Sequence, residues 1–212
     1  MKYKHIIFDF DGVLAETNDI RFDGFHSLFK NHNEDLVNSL IKYARLNGGK
    51  SRYDKIKYFF ENILNETISK DKVYELALQY SQLVEQKVID ALPVRGSTEF
   101  LSQYQSEFCF AIVSGSDQDE LRDVCKARGI DHFFIEILGS PLSKSLNISQ
   151  LLSKKRWKKE LCVYLGDSLD DLETAKMNGI DFIGRNSGLV DWGTIGNVIF
   201  IDDLVQLPMC LK

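Results

Sequence analysis

Beyond Pro93 the chain alternates between two hydrophobic periods, and that alternation limits its fold more than any other feature. Phe108-Cys109-Phe110-Ala111-Ile112-Val113, the run from Phe133 to Leu138 and Leu161-Cys162-Val163-Tyr164-Leu165 are short apolar stretches of the kind that form buried strands. Each is followed by helical spacing: Leu121, Val124 and Cys125; Ile148, Leu151 and Leu152; Leu172, Ala175 and Met177. Short strands at 181–183 and 198–201 close the chain. Strands and helices in this succession imply an α/β fold with a parallel, doubly wound sheet. Ligands of such sheets bind outside the carboxyl ends of the strands.

One long segment breaks the pattern. The first strand, Lys4-His5-Ile6-Ile7-Phe8, is followed from Asn18 to Val88 by helical spacing almost without β-branched runs. Ile20, Phe22, Phe25, Leu28 and Phe29 suggest one helix, and Leu36, Leu40, Ile41 and Ala44 a second, which Gly48-Gly49 breaks. Ser51 reads as the N-cap of a third helix with Ile56, Phe59, Phe60, Ile63 and Leu64. Ser69 starts a fourth, with Val73, Leu76, Ala77, Tyr80 and Val84. The expected organisation is a core of residues 1–16 and 90–212, with a four-helix insertion at 17–89 standing over the carboxyl edge of the sheet.

The strand tips carry the chemistry. Strand one ends in Asp9-Phe10-Asp11-Gly12, and period-two geometry sends both aspartates the same way if the strand holds that far. Asp and Gly also favour turns, so this stretch alone leaves a plain turn and an active site both open. Further along, Ser114-Gly115 follows one strand, Lys144 lies in a loop after Pro141, and Gly166-Asp167 ends another strand with Asp171 a turn beyond. Singly, Ser114 could merely cap a helix and Asp171 could be a solvated helix residue. Jointly, the carboxylates suit a hard, oxygen-liking cation, for which Mg²⁺ is expected from Asp9 and Asp167. Ser114 and the N–H groups after it suit phosphate oxygens, and Lys144 adds a compact positive charge.

Composition removes other classes. A net charge of −5 shows no basic excess of the kind that nucleic-acid binders carry. The basic run Lys154 to Lys159 reads as a solvated helix end. No stretch approaches the ~18 apolar residues of a membrane span. The four cysteines lack metal or redox spacing, and Cys109 and Cys162, inside apolar runs, are expected to behave as buried small hydrophobes. With no charged-then-apolar leader before the first strand, the expected location is cytoplasmic; oligomeric state is open.

Asp9-Phe10-Asp11-Gly12-Val13-Leu14, the strand ending in Ser114-Gly115, Lys144, and Gly166-Asp167-Ser168-Leu169-Asp170-Asp171 resemble, in order, the four motifs of the haloacid dehalogenase-like hydrolases. The position of the helical insertion matches the subgroup with a small α-helical cap. The resemblance implies that Asp9 attacks phosphorus to form an aspartyl-phosphate. Asp11 would protonate the leaving group and then deprotonate water. Ser114 and Lys144 would hold the phosphoryl oxygens, with Gly12 and Gly115 among the substrate-contacting positions. Asp9, the Asp11 carbonyl and Asp167 would coordinate Mg²⁺, with Asp171 beside them. A second acid at Asp11 favours phosphoryl chemistry, because a departing halide needs no proton.

The stretch Arg45 to Arg52 resembles the cap loop of the sugar phosphomutases in this family, where a Gly-x-Ser-Arg arginine grips a second phosphate; Gly49, Ser51 and Arg52 match by position. Arg52, Lys50 and Thr17 are the expected substrate contacts on this side. Mutases carry a histidine ten residues beyond the acid/base aspartate, and this chain has Arg21 there. The reading that follows is a phosphatase acting on a small phosphorylated sugar or acid, with a phosphomutase second. A non-catalytic phosphate-binding protein comes last, because the motif residues are all present.

Overall fold

The computed structural model describes residues 2–212. Six strands, β1 (His5–Phe8), β2 (Cys109–Asp117), β3 (Phe134–Ser140), β4 (Cys162–Gly166), β5 (Asp181–Arg185) and β6 (Ile199–Ile201), form an all-parallel sheet in the order β3-β2-β1-β4-β5-β6. β1 sits between β2 and β4, with Ile6 opposite both Phe110 and Val163. The winding direction reverses between β1 and β4, so the tip of β1 stands at the switch point where such sheets bind ligands.

Period-two alternation sorts the core into two faces. Ile6 and Phe8 point into one, with Phe110, Val163 and the helices α5 (Ser97–Tyr104) and α6 (Gln118–Ala127), which contribute Phe100, Leu101, Leu121 and Val124. Ile7 points into the other, with Ala111, Val113 and Tyr164, under Ile148 and Leu151 of α7 (Lys144–Lys155) and Ala175 of α8 (Leu169–Asn178). A short helix, α9 (Leu207–Cys210), closes the chain.

Four helices precede α5 in the segment between β1 and β2: α1 (Asn18–Leu28), α2 (Glu34–Leu46), α3 (Arg52–Tyr58), which runs on as a π-helical turn over Phe59–Leu64, and α4 (Lys70–Asp90). Asn33, Ser51 and Ser69 start the last three by accepting a hydrogen bond from the first-turn N–H of Asp35, Asp54 and Lys72. Phe25, Phe29, Leu40, Ile56, Phe59 and Tyr80 fill the space among them, with the Phe29 and Phe59 rings 4.2 Å apart. The chain enters and leaves this segment side by side, through Glu16 N–H to Leu92 O (2.9 Å) and Val94 N–H to Leu14 O (3.1 Å). Among the described residues no helix is long and apolar enough to cross a membrane.

Three local expectations change. β2 does not stop at Val113 but continues to Asp117, with a register shift against β3; Asp117, not Ser114, then caps α6. Lys144 is not in a loop but is the first residue of α7, behind the N-cap Ser143. Cys109, inside an apolar run, is exposed because it is the first residue of its strand, whereas Cys162 is buried as expected.

A close helix contact sets a stability test. A Cβ on Gly24 of α1 would lie 2.4 Å from Val84 Cγ1 and 2.8 Å from the Tyr80 ring of α4. Helix propensity favours alanine over glycine by about 1 kcal/mol, but overpacking costs roughly 1–3 kcal/mol. Gly24→Ala should therefore lower the unfolding free energy by about 1 kcal/mol in a denaturant titration. A gain would mean that α1 and α4 are not in this contact.

Candidate active site

The carboxyl tips of β1, β2 and β4 and the start of α7 deliver the side chains. Immediately after β1, the Asp9 carboxylate accepts from Phe10 N–H (2.7 Å) and from the Lys144 ammonium (2.8 Å). The same ammonium donates to Asp171 Oδ1 at 2.6 Å. Asp171 is fully buried, and its remaining acceptor sites are filled by Tyr164 O–H on Oδ1 and by the Ser168 hydroxyl and the Ser168 and Asp167 N–H groups on Oδ2. Ser168 and Asp171 thereby form the capping box that starts α8. Asp167, at the tip of β4, accepts from the Asn18 amide at 2.7 Å.

β1 ends at Phe8, so both aspartates lie beyond the strand, and Asp11 takes a set of partners separate from those of Asp9. Asp11 Oδ1 accepts from Thr17 (2.5 Å) and Arg21 Nε (2.9 Å), and its Oδ2 from the Ser116 hydroxyl (2.7 Å). Gly12 turns the chain at φ +70°, where a Cβ would sit 2.0 Å from Asp167 Oδ2. Arg185 on β5 steadies this turn by donating to Gly12 O and Glu16.

Asp9, Asp11, Asp167, Ser114 and Lys144 face one cavity of about 490 Å³, part of it continuous with solvent. Gly115 and Arg52 border it as well, and so does Lys50, which is exposed with its ammonium 3.4 Å from the Tyr43 hydroxyl. Thr17 and Asp171 stand behind this wall, fully buried. The inserted helices roof the cavity tightly: a Cβ on Gly115 would lie 2.5 Å from Gly49 O.

Charge balance across the cavity is uneven. Burial pushes Asp9 up to about 8, against the pull of Lys144 and with the help of Asp171 and Asp167. Burial and Asp171 likewise push Asp167 up to about 6. Asp11 is the reverse: burial acts to raise it, but Arg21 and the Thr17 and Ser116 hydroxyls outweigh that and hold it below the usual carboxylate range. One oxygen atom from each of Asp9, Asp167 and Asp171 lies within 4.8 Å of the others. Buried, oxygen-only and short of positive charge, this group fits a divalent hard cation. Asp171 is the least available of the three, since both its oxygens already accept hydrogen bonds.

The sequence reading missed several neighbours. Glu120 of α6 accepts from Arg21 Nη1 (2.6 Å) and, two-pronged, from Arg52 Nη1 (2.5 Å) and Nη2 (2.9 Å). An acid in the first turn of a helix looks ordinary in sequence, so nothing marked it. Tyr164 looked like any apolar strand residue. Lys55 was legible in principle, because it follows Arg52 at i+3 and so shares its helix face.

The chain belongs to the haloacid dehalogenase-like hydrolases: that family's sequence model matches residues 6–185. It is similar to the phosphoglycolate phosphatase of Synechococcus elongatus, with 25% identity over 201 residues, 89% of this chain and 84% of that one. Among solved structures it shares its fold with a protein of Haemophilus somnus described as a predicted phosphoglycolate phosphatase (TM-score 0.77, 18% identity, 100% of this chain and 99% of that one). CbbY from Rhodobacter sphaeroides, in complex with phosphate, has the same fold (TM-score 0.77, 18% identity, 97% of this chain and 96% of that one).

Glu120 gives the site a pH signature. Burial acts to raise its pKa, but Arg21 and Arg52 overcome this and hold it far below the ordinary glutamate value of 4.5. A depressed folded-state pKa means stability that is present above pH 4.5 and drains away as pH falls. Glu120→Gln should flatten the acid limb of a stability-versus-pH curve. It should also lower stability at neutral pH by about 3 kcal/mol, because two buried guanidiniums lose the negative charge they share and one of its two acceptor oxygens. An unchanged acid limb would place the arginine pairing elsewhere.

Proposed function

We propose that the chain is a Mg²⁺-dependent phosphatase that hydrolyses a small phosphorylated metabolite through an aspartyl-phosphate on Asp9. Its enzyme class is that of the phosphoric monoester hydrolases. The observation that carries this reading is the grouping of Asp9 and Asp167, from the adjacent tips of β1 and β4, with Lys144 and Asp171 from the first turns of α7 and α8. In this reading residues 17–89 act as a cap over a core formed by 1–16 and 90–212.

Asp9 attacks phosphorus as the bond to the leaving oxygen breaks, and Asp11, which must enter this step protonated, gives that oxygen its proton and becomes a carboxylate. Water then attacks the aspartyl-phosphate, Asp11 takes the water proton, and inorganic phosphate leaves with Asp9 restored. Ser114 and Lys144 bind phosphoryl oxygens. Asp9, Asp167 and the Asp11 carbonyl hold Mg²⁺, which when bound screens the repulsion between an anionic nucleophile and an anionic phosphoryl group. Asp171 orients Lys144 rather than taking a place on the metal. The contact of Gly49 with Gly115 narrows the access of bulk water to the reacting atoms.

Two features favour hydrolysis over phosphoryl return to the substrate. Arg21 stands where the mutases carry a histidine, and it favours the carboxylate form of Asp11, the form left after the first step and the one that takes the proton of the attacking water. Arg52, the cap-loop match to the mutases, is taken up by Glu120.

Purified protein with Mg²⁺ should release phosphate from an aryl phosphate, and removal of the metal by chelation should stop it until Mg²⁺ is restored. Asp9→Asn should abolish the activity with unchanged circular dichroism, and Asp11→Asn should slow it by roughly 10²–10⁴-fold. Isomerisation of a hexose 1-phosphate with little free phosphate would select the mutase instead. The phosphatase reading fails if wild-type protein with Mg²⁺ turns over no phosphomonoester.

A further inference from the structure

The cations around the cavity divide sharply by partner. Lys144 is matched by Asp9 and Asp171, Arg21 by Asp11 and Glu120, and Arg52 by both oxygens of Glu120. Arg52 also donates to Ser81 of α4 at 2.5 Å and lies over the Tyr80 ring, so both of its Nη atoms are engaged and it ties α3 to α4 and α6. Lys55 differs. It faces the same cavity and is only 7% exposed, yet among the described residues no carboxylate lies within 4.0 Å of it. Its ammonium donates to the Gly48 carbonyl at 3.1 Å, which leaves donor capacity unused.

Resting on the phosphatase reading, we infer that Lys55 receives a second anionic group of the substrate, a carboxylate or a further phosphate. A buried ammonium without an anion is unfavourable, and a neutral substrate tail would leave it so. Burial, reinforced by Lys144, already pushes Lys55 down to about 8, while Asp11 and Asp170 act too weakly to offset it. An anion brought by the substrate supplies the missing counter-charge. Arg52, one helical turn away on the same face, holds the cap helix that carries Lys55 and does not itself grip the substrate. The phosphorylated acids and bisphosphates are thereby separated from simple phosphomonoesters by one lysine.

Matched substrates test this. Phosphoglycolate against ethyl phosphate isolates a carboxylate, and fructose 1,6-bisphosphate against fructose 6-phosphate isolates a second phosphate. Wild-type protein should prefer the charged member of at least one pair, and that pair identifies the group bound. Lys55→Met should lower the charged-to-uncharged ratio of kcat/KM by roughly 10–100-fold, mostly through KM, as loss of a charge-assisted hydrogen bond requires. Lys55→Arg should restore most of the preference. An equal loss on both members would reduce Lys55 to holding the Gly48 carbonyl and overturn the inference. A selective loss in Arg52→Gln but not in Lys55→Met would overturn it as well. If no substrate turns over, the phosphatase reading fails; calorimetric binding of phosphoglycolate and ethyl phosphate to wild type and Lys55→Met then decides the role of Lys55 by the same contrast.

Discussion

The site depends on one buried ammonium. Lys144 lies between Asp9 and Asp171, and Asp167 stands close to both. Two like charges 4 Å apart repel by roughly 4 kcal/mol even at an effective dielectric constant of 20. A cluster of three buried acids therefore needs cations to stay ionised. Burial opposes the charge on Lys144, but Asp171 and Asp9 more than compensate and hold its pKa well above the ordinary lysine value. The lysine in turn is fixed by where α7 begins, since it is the first helical residue behind the Ser143 cap. Asp171 is fixed by the cap of α8. Two helix starts on one face of the sheet thus set the position of a charge that serves the tip of its central strand.

The sheet was legible because its strands are buried on both faces and its helices carry the 3.6-residue period; the four inserted helices were legible for the same reason, with Ser51 and Ser69 marking two starts. What period cannot convey is where a strand stops when its last residues turn polar. Ser114 to Asp117 looks like a loop in composition, yet pairing with β3 carries the strand through it and puts Ser116 within reach of Asp11. Cys109 shows the opposite limit: an apolar run does not say which of its residues lies at the open end of a strand.

At the site, the motif residues Asp9, Asp11, Ser114, Lys144 and Asp167 could be read because each ends or follows a strand. Their controlling neighbours could not, because they come from elements distant in sequence. Glu120 lies 99 residues from Arg21 and 68 from Arg52, and only the docking of α1 and α3 against α6 brings the three together. That docking also changes the meaning of Arg52, from a free fork to a tie between elements. The electrostatics of the upper half of the cavity therefore belong to an interface, whereas those of the lower half belong to the sheet.

Gly49 and Gly115 touch backbone to backbone, with no room for even a methyl group between them. A roof that fits this closely narrows the way in at that point, although part of the cavity stays continuous with solvent. A substrate too wide for that opening would enter and leave only with a swing about the paired connections at Glu16–Leu92 and Leu14–Val94. The ceiling on turnover would then be set by how often two short peptide segments flex, and fast chemistry beneath them could not raise it.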